Sequence, residues 1–77
     1  MICNRNFIGR NIIKLRRRNN WTQEELAAKM QLLGCHVTRD VIADIEARRC
    51  PATEKQIMCF AEIFGVEAHS LSSHQMS

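Results

Sequence analysis

The sequence contains few of the residues that interrupt helices or favour strands. It has one proline, three glycines, no tyrosine and only 5% aromatic residues among its 77 residues. Valine is scarce, and no segment alternates apolar with polar residues for long enough to predict a strand. A β-rich fold needs frequent turns and alternating segments, so the composition favours helices. The length allows one domain with a small core.

Long apolar runs and a secretory signal are also lacking. No apolar segment approaches the roughly 20 residues that cross a bilayer as a helix. The first residues do not have the charge and apolar pattern of a signal peptide. We therefore expect a cytoplasmic protein with no membrane partner.

The four cysteines do not form the closely spaced pairs of a zinc site. They are Cys3, Cys35, Cys50 and Cys59. His36 directly follows Cys35, and two adjacent residues cannot easily share one tetrahedral site. We expect free thiols in a reducing compartment, some packed as small apolar groups, and neither a metal nor another cofactor.

Acidic residues are absent from residues 1–20, which contain six of the eleven basic residues. The remaining residues include five basic and eight acidic ones, and the formal net charge is +3. A basic end beside a more acidic body suits a polyanionic partner. The same pattern also occurs on a solvated helix face, so charge alone leaves both interpretations open.

The first two predicted helices begin and end at recognisable capping residues. Asn6 can cap the first helix, which ends near Asn20 because asparagine tolerates the left-handed conformation. Thr22 and Glu25 form a capping box that starts the second helix, and Gly34 should end it. The apolar face of the second helix is Leu26, Ala27, Met30 and Leu33.

Two more helices and a short fifth helix are predicted downstream. Thr38 can cap the third helix. Thr53 and Gln56 form a capping box for the fourth helix, which should end at Gly65 with a Schellman motif. A short fifth helix is predicted around residues 68–71. The core-facing residues of the third and fourth helices are Val41, Ile42, Ile45, Ile57, Phe60, Ala61 and Phe64.

Several segments in chain order carry a family resemblance. They are Trp21-Thr22-Gln23-Glu24-Glu25-Leu26-Ala27, Ile42-Ala43-Asp44-Ile45-Glu46 and Phe60-Ala61-Glu62-Ile63-Phe64-Gly65-Val66. Over residues 7–71 the chain resembles the helix-turn-helix family of phage repressors, Cro proteins and XRE-type regulators. The resemblance implies an all-α, lambda-repressor-like domain of four to five helices over residues 1–71, with a mobile tail at 72–77. It also implies specific binding of double-stranded DNA by a transcriptional regulator.

The connection between the second and third helices departs from the family pattern. Residues 31–37 make it roughly five residues longer than the usual link. The Gln-Leu-Leu-Gly at residues 31–34 is similar to one branch of the family. We expect the insertion to extend the second helix and its turn, which leaves the angle of the third helix open.

The third helix is the expected reader of DNA bases. A major groove admits one α-helix, whose N-terminal side chains meet base edges. The resemblance assigns base reading to Thr38, Arg39, Asp40 and Asp44. Arg39 can bind guanine with two hydrogen bonds, whereas the two aspartates can only accept, for example from cytosine N4. Since acids repel phosphate, the alternative is that both are solvated and pair with Arg39.

Phosphate contacts are expected from Gln23, Arg48 and Arg49. Gln23 matches the family position whose amide and backbone N–H meet a phosphate at a helix start. Arg48 and Arg49 follow the third helix, where relatives contact the DNA backbone. The alternatives are an ordinary polar residue in the first turn of a helix and a solvated basic turn.

Protein recognition and enzymatic activity are the alternatives to DNA binding. A helix-turn-helix can also recognise protein, as in an antitoxin or accessory subunit, and the acidic third helix favours that alternative. An enzyme with a small-molecule substrate is not expected, because no carboxylate pair, Ser-His-Asp order or glycine-rich phosphate loop is present. One small protomer covers one DNA half-site, so we expect a homodimer. Its expected interface is the outer side of the fourth helix, with Cys59 and Ile63, and the fifth helix.

An arginine lies on the buried face of the first helix. Arg16 follows Ile12 by four residues and Ile8 by eight, so it belongs to the apolar stripe. A buried guanidinium needs a partner. Glu46, whose carboxylate opposes the dipole at the end of the third helix, is the natural candidate, and the resemblance implies the same pair. The alternative is that both charged groups reach water separately.

Overall fold

The computed structural model describes residues 6–72, which are all-α as predicted. Four α-helices and a final 3₁₀ helix, η1, follow one another in this part of the chain. They are α1 (Asn6–Arg18), α2 (Gln23–Leu32), α3 (Arg39–Glu46), α4 (Glu54–Phe64) and η1 (Ala68–Ser72). In residues 6–72 none of the helices has the length and apolar character needed to span a bilayer.

Local capping explains where α2 and α4 begin and end. Thr22 Oγ1 accepts a hydrogen bond from the Glu25 backbone at 3.0 Å, and Glu25 Oε1 accepts one from the Thr22 backbone at 2.8 Å. The same reciprocal box joins Thr53 and Gln56. Gly65 ends α4 in the left-handed conformation with φ 68°. The boxes and the Schellman ending confirm the predictions from the sequence.

Three details differ from the sequence predictions. α1 includes Asn6 as its first residue, so Asn6 is not the residue preceding the helix. Leu33, predicted on the apolar face of the second helix, is 40% exposed. Because α2 ends before it and the chain turns at Gly34, Leu33 does not continue the buried face of the helix. Ser72 belongs to η1 and not to the predicted tail. The rest of that tail, residues 73–77, lies outside the described residues.

The core lies where all the helices meet. Its fully buried larger side chains come from every helix and from the α2–α3 link. They are Ile8, Ile12, Leu26, Met30, Val37, Ile42, Phe60 and Leu71. At the edge of this core, Trp21 stacks on Phe64 with ring centroids 5.8 Å apart, and the ammonium of Lys29 lies 4.5 Å from the Trp21 ring. Burial of this apolar surface is the main stabilising term.

α1 and α3 approach each other closely enough to need a glycine. A Cβ atom at Gly9 would clash with the backbone carbonyl oxygen of Ile45 and crowd that of Glu46. Backbone atoms cannot move aside as a flexible side chain can, so only glycine fits here. The C-terminal end of α3 is therefore held directly against the backbone of α1.

An arginine occupies the left-handed position that ends α3. Arg48 has φ 63°. The Arg49 N–H donates to Asp44 O at 2.9 Å and the Arg48 N–H to Ile45 O at 3.1 Å, which together form a Schellman motif. Glycine is the usual residue at this position because a Cβ is strained there. The backbone of Arg48 is therefore locally strained.

Replacing Arg48 with glycine should stabilise the fold by about 1 kcal/mol, since relief of the left-handed strain exceeds the backbone entropy that glycine adds to the unfolded chain. Urea unfolding of Arg48→Gly beside Arg48→Ala measures this effect. The alanine variant loses the same side chain but keeps the Cβ strain. Equal stability of the two variants would contradict the expectation.

Candidate nucleic-acid interface

The link between α2 and α3 packs against the core and is hydrogen-bonded to the end of α2. Gln31 and Leu32 extend α2, and residues 33–38 form the connection to α3. Within it, Cys35 and Val37 are buried in the core. The amide of Gln31 donates to the Val37 carbonyl at 3.0 Å. Residues 31 and 32 thus belong to α2, and a packed segment leads the chain on to α3.

The first residues of α3 face solvent. Thr38 caps the helix by accepting a hydrogen bond from the Val41 backbone at 3.3 Å. Arg39 and Asp40 follow, with side chains 59% and 88% exposed and a 3.7 Å separation between Arg39 Nη2 and Asp40 Oδ1. A pair this exposed contributes at most about 1 kcal/mol and separates easily. Both groups are therefore accessible to a partner.

Asp44 pairs with the basic turn after α3 and not with Arg39. Arg49 Nε donates to Asp44 Oδ1 at 3.1 Å, with side chains 67% and 43% exposed. Arg48 is exposed beside them. The pairing neutralises one of the two aspartates of α3. It also occupies, in the free protein, an arginine that was predicted to contact phosphate.

The side chain of Gln23, at the first position of α2, makes a hydrogen bond within the protein. Its Nε2 donates to Glu46 Oε1 at 2.9 Å, and the residue is half-buried. The predicted phosphate contact assumed that this amide faces outward. One amide hydrogen and the amide oxygen have no part in the Glu46 bond, and the backbone N–H lies in the first turn of the helix.

Arg16 and Glu46 form the bidentate ion pair that the sequence predicted. Arg16 Nε lies 2.7 Å from Glu46 Oε2, and Arg16 Nη2 lies 3.1 Å from Glu46 Oε1. The other terminal nitrogen, Arg16 Nη1, donates to the Trp21 carbonyl at 2.9 Å. The two side chains are only 14% and 6% exposed. Together with Gln23, this network joins α1, the start of α2 and the end of α3.

Sequence reasoning missed a second buried polar group. Asn11 is 3% exposed and donates from Nδ2 to the Leu71 carbonyl at 2.6 Å, which fastens η1 to α1. A signal was available: Asn11 follows Ile8 by three residues and precedes Leu15 by four, so it lies on the apolar stripe. Its role is to position η1, away from α3.

The side chains expected at a dimer interface do not lie on an outer face. Cys59 and Ile63 are half-buried and pack against the core, so their assignment to the outer side of α4 was wrong. Met58, at 66% exposure, is the apolar residue that α4 presents to solvent. Among residues 6–72, no cluster of three or more histidine, cysteine or acidic side chains could hold a metal ion.

Comparisons with protein-family models, curated proteins and solved structures found no match.

Replacing Glu46 with alanine should destabilise the fold by about 3–5 kcal/mol, because Arg16 would remain largely buried without its carboxylate. The double variant Arg16→Met, Glu46→Leu should cost much less, since neither charge is then left unpaired. Urea unfolding of both variants and of Gln23→Ala measures the contribution of the ion pair separately from that of the Gln23 amide. A cost below about 1 kcal/mol for Glu46→Ala would mean that the pair behaves like an exposed one.

Proposed function

We propose that the chain binds specific double-stranded DNA as a repressor-like transcriptional regulator, with α2 and α3 as its helix-turn-helix. The observation that carries the proposal is the division of α3 into two parts. Its C-terminal end is held by Gly9 and Arg16, whereas Arg39 and Asp40 at its start are exposed. A reading helix needs this combination, because its N-terminal side chains must reach base edges from a fixed orientation.

The charges around α3 are compatible with a polyanion. Arg49 pairs with Asp44, and Arg39 lies 3.7 Å from Asp40, so each aspartate of α3 has a basic neighbour. Arg48 adds a further exposed positive charge. Exposed ion pairs exchange partners at little cost, so Arg49 can leave Asp44 for a phosphate. The aspartates then become acceptors for cytosine N4.

The resemblance to XRE-type regulators supports the same proposal. It assigns base reading to Thr38, Arg39, Asp40 and Asp44, and phosphate contact to Gln23, Arg48 and Arg49. The bond from Gln23 to Glu46 modifies one assignment: we propose that phosphate contact there comes chiefly from the backbone N–H of Gln23. A homodimer on a near-palindromic site is proposed on the same basis.

Recognition of another protein is the second candidate. Asp40 is 88% exposed at the start of α3, and Leu32 is 86% exposed at the end of α2. Exposed acidic and apolar side chains of this kind suit a protein partner, as in an antitoxin or accessory subunit. Such a module would bind neither random nor selected duplexes.

Selection from a random duplex pool, followed by electrophoretic shift at several salt concentrations, tests the proposal. The expected result is a selected site bound at least about 10³-fold more tightly than random duplex. Sedimentation of the complex should give two protomers per selected site. Absence of any shift with the enriched pool would favour the protein-recognition candidate.

Arg39→Ala should weaken binding to the selected site by about 1–3 kcal/mol and relax the preference at one base pair. The reason is the loss of two hydrogen bonds to a guanine. Arg18→Ala is a matched control, since it removes the same charge from an exposed position at the end of α1. If Arg39→Ala weakened all duplexes equally, Arg39 would be a phosphate contact instead.

Removing the charges of Arg48 and Arg49 should weaken binding to all duplexes alike. If Arg48 or Arg49 neutralises a phosphate, changing that arginine to alanine should reduce the magnitude of the slope of log affinity against log salt concentration by about one. Arg49→Ala is best compared in an Asp44→Asn background, because the single change also exposes the Asp44 charge. A slope that stays unchanged in the double arginine variant would exclude phosphate contacts there.

A further inference from the structure

A cavity of about 180 Å³ lies between the start of α1 and the segment that follows α3. Its buried lining includes the apolar side chains of Ile8, Ile45 and Ala52. Its exposed rim consists of Arg48, Cys50 and Pro51. An apolar cavity of about 150 Å³ is large enough to hold benzene, so this space fits a ligand with an apolar body of about six carbon atoms.

Arg48 gives the rim a positive charge that no described residue neutralises. Within residues 6–72 its guanidinium makes no ion pair and no hydrogen bond. The next residue, Arg49, is by contrast paired with Asp44. An anion at the rim of the cavity therefore meets a guanidinium that need not leave another partner first.

The backbone of Arg48 is a second indication of a binding role. Its φ of 63° is a conformation that glycine adopts without strain. Other residues held in the left-handed conformation cluster at ligand clamps and similar functional sites. An arginine at this position therefore favours a role for its side chain in binding.

We propose that this cavity binds a small monocarboxylate with an aromatic or branched aliphatic body, of which benzoate is an example. The carboxylate pairs with Arg48, and the apolar body packs against Ile8, Ile45 and Ala52. The size of the cavity, its apolar lining and the unpaired charge at its rim carry this assignment. Binding of the carboxylate does not require that the chain bind DNA.

Occupancy of the cavity has a regulatory consequence, which rests on the proposed function. Arg48 is one of the residues proposed to contact a DNA phosphate, so a bound carboxylate competes with DNA for the same guanidinium. The ligand is then a negative effector of DNA binding. By thermodynamic linkage, DNA lowers the affinity for the ligand by the same factor.

Titration of the ¹⁵N-labelled full chain with benzoate, followed by nuclear magnetic resonance of its amides, tests the site. We expect saturable shifts at Gly9, Ile45, Arg48 and Cys50, with a Kd on the order of 1 mM. Benzamide has the same shape without the charge, and acetate has the charge without the ring, so each should bind roughly tenfold more weakly. Absence of saturable shifts at these residues, or equal binding of benzamide, would overturn the proposal.

Two arginine variants separate a specific ion pair from a general effect of net charge. Arg48→Gln removes the charge and keeps a side chain at the left-handed position, and it should weaken benzoate binding roughly tenfold. Arg18→Gln is the matched control, because it removes the same charge from an exposed position at the end of α1, outside the cavity. Equal weakening in both variants would exclude the pairing of the carboxylate with Arg48.

Cys50 reports occupancy without any substitution. It is free, exposed and part of the rim, so bound benzoate should slow its alkylation by iodoacetamide in proportion to occupancy. Trypsin releases it in peptide 50–55, in which mass spectrometry measures the rate. An alkylation rate that does not change at saturating benzoate would contradict binding in this cavity.

Electrophoretic shift with the selected duplex tests the regulatory consequence separately. At constant ionic strength, saturating benzoate should weaken the complex by the factor that Arg48→Gln itself costs, and it should not affect the Arg48→Gln complex. An equal loss in the native chain and in Arg48→Gln would overturn competition at Arg48. A chain that binds benzoate but no duplex would refute the proposed function and leave the carboxylate site established.

Discussion

The orientation of α3 depends on the ion pair between Arg16 and Glu46. A carboxylate at the end of a helix faces the negative end of the helix dipole, so Glu46 is destabilising unless donors surround it. Arg16 Nε and Nη2 donate to Glu46, and the Gln23 amide donates to it as well. Arg16 Nη1 donates to the Trp21 carbonyl. Movement of α3 along its axis would break these charge-assisted bonds together, which makes the junction of α1, α2 and α3 rigid.

The backbone contact at Gly9 completes this junction. It brings α1 against the carbonyl groups of Ile45 and Glu46, so one end of α3 is held by both backbone and side-chain contacts. Directly beyond this point the chain turns through Arg48 in the left-handed conformation. The opposite end of α3, at Arg39, is exposed. A held end and an exposed end within eight residues are what the proposed reading of DNA requires.

The charged groups of the candidate site were predicted from the sequence, but their pairing was not. Helical spacing and a resemblance assigned Arg39 and Asp44 to the third helix and Arg49 to the turn after it. They did not reveal that Asp44 pairs with Arg49 or that the Gln23 amide turns toward Glu46. Pairing depends on distances of a few ångströms between side chains of separate elements. Spacing along one helix contains no information on such distances.

The sequence by itself determined the helices, their capping boxes and the buried stripe that includes Arg16. These features form within about four residues of each other, so local hydrogen bonding and helical periodicity specify them. The tertiary structure alone decided the close approach at Gly9, the bond from Asn11 to the Leu71 carbonyl and the bond from Gln23 to Glu46. Each joins residues far apart in the chain, and only the packing of complete helices around one core brings them within reach.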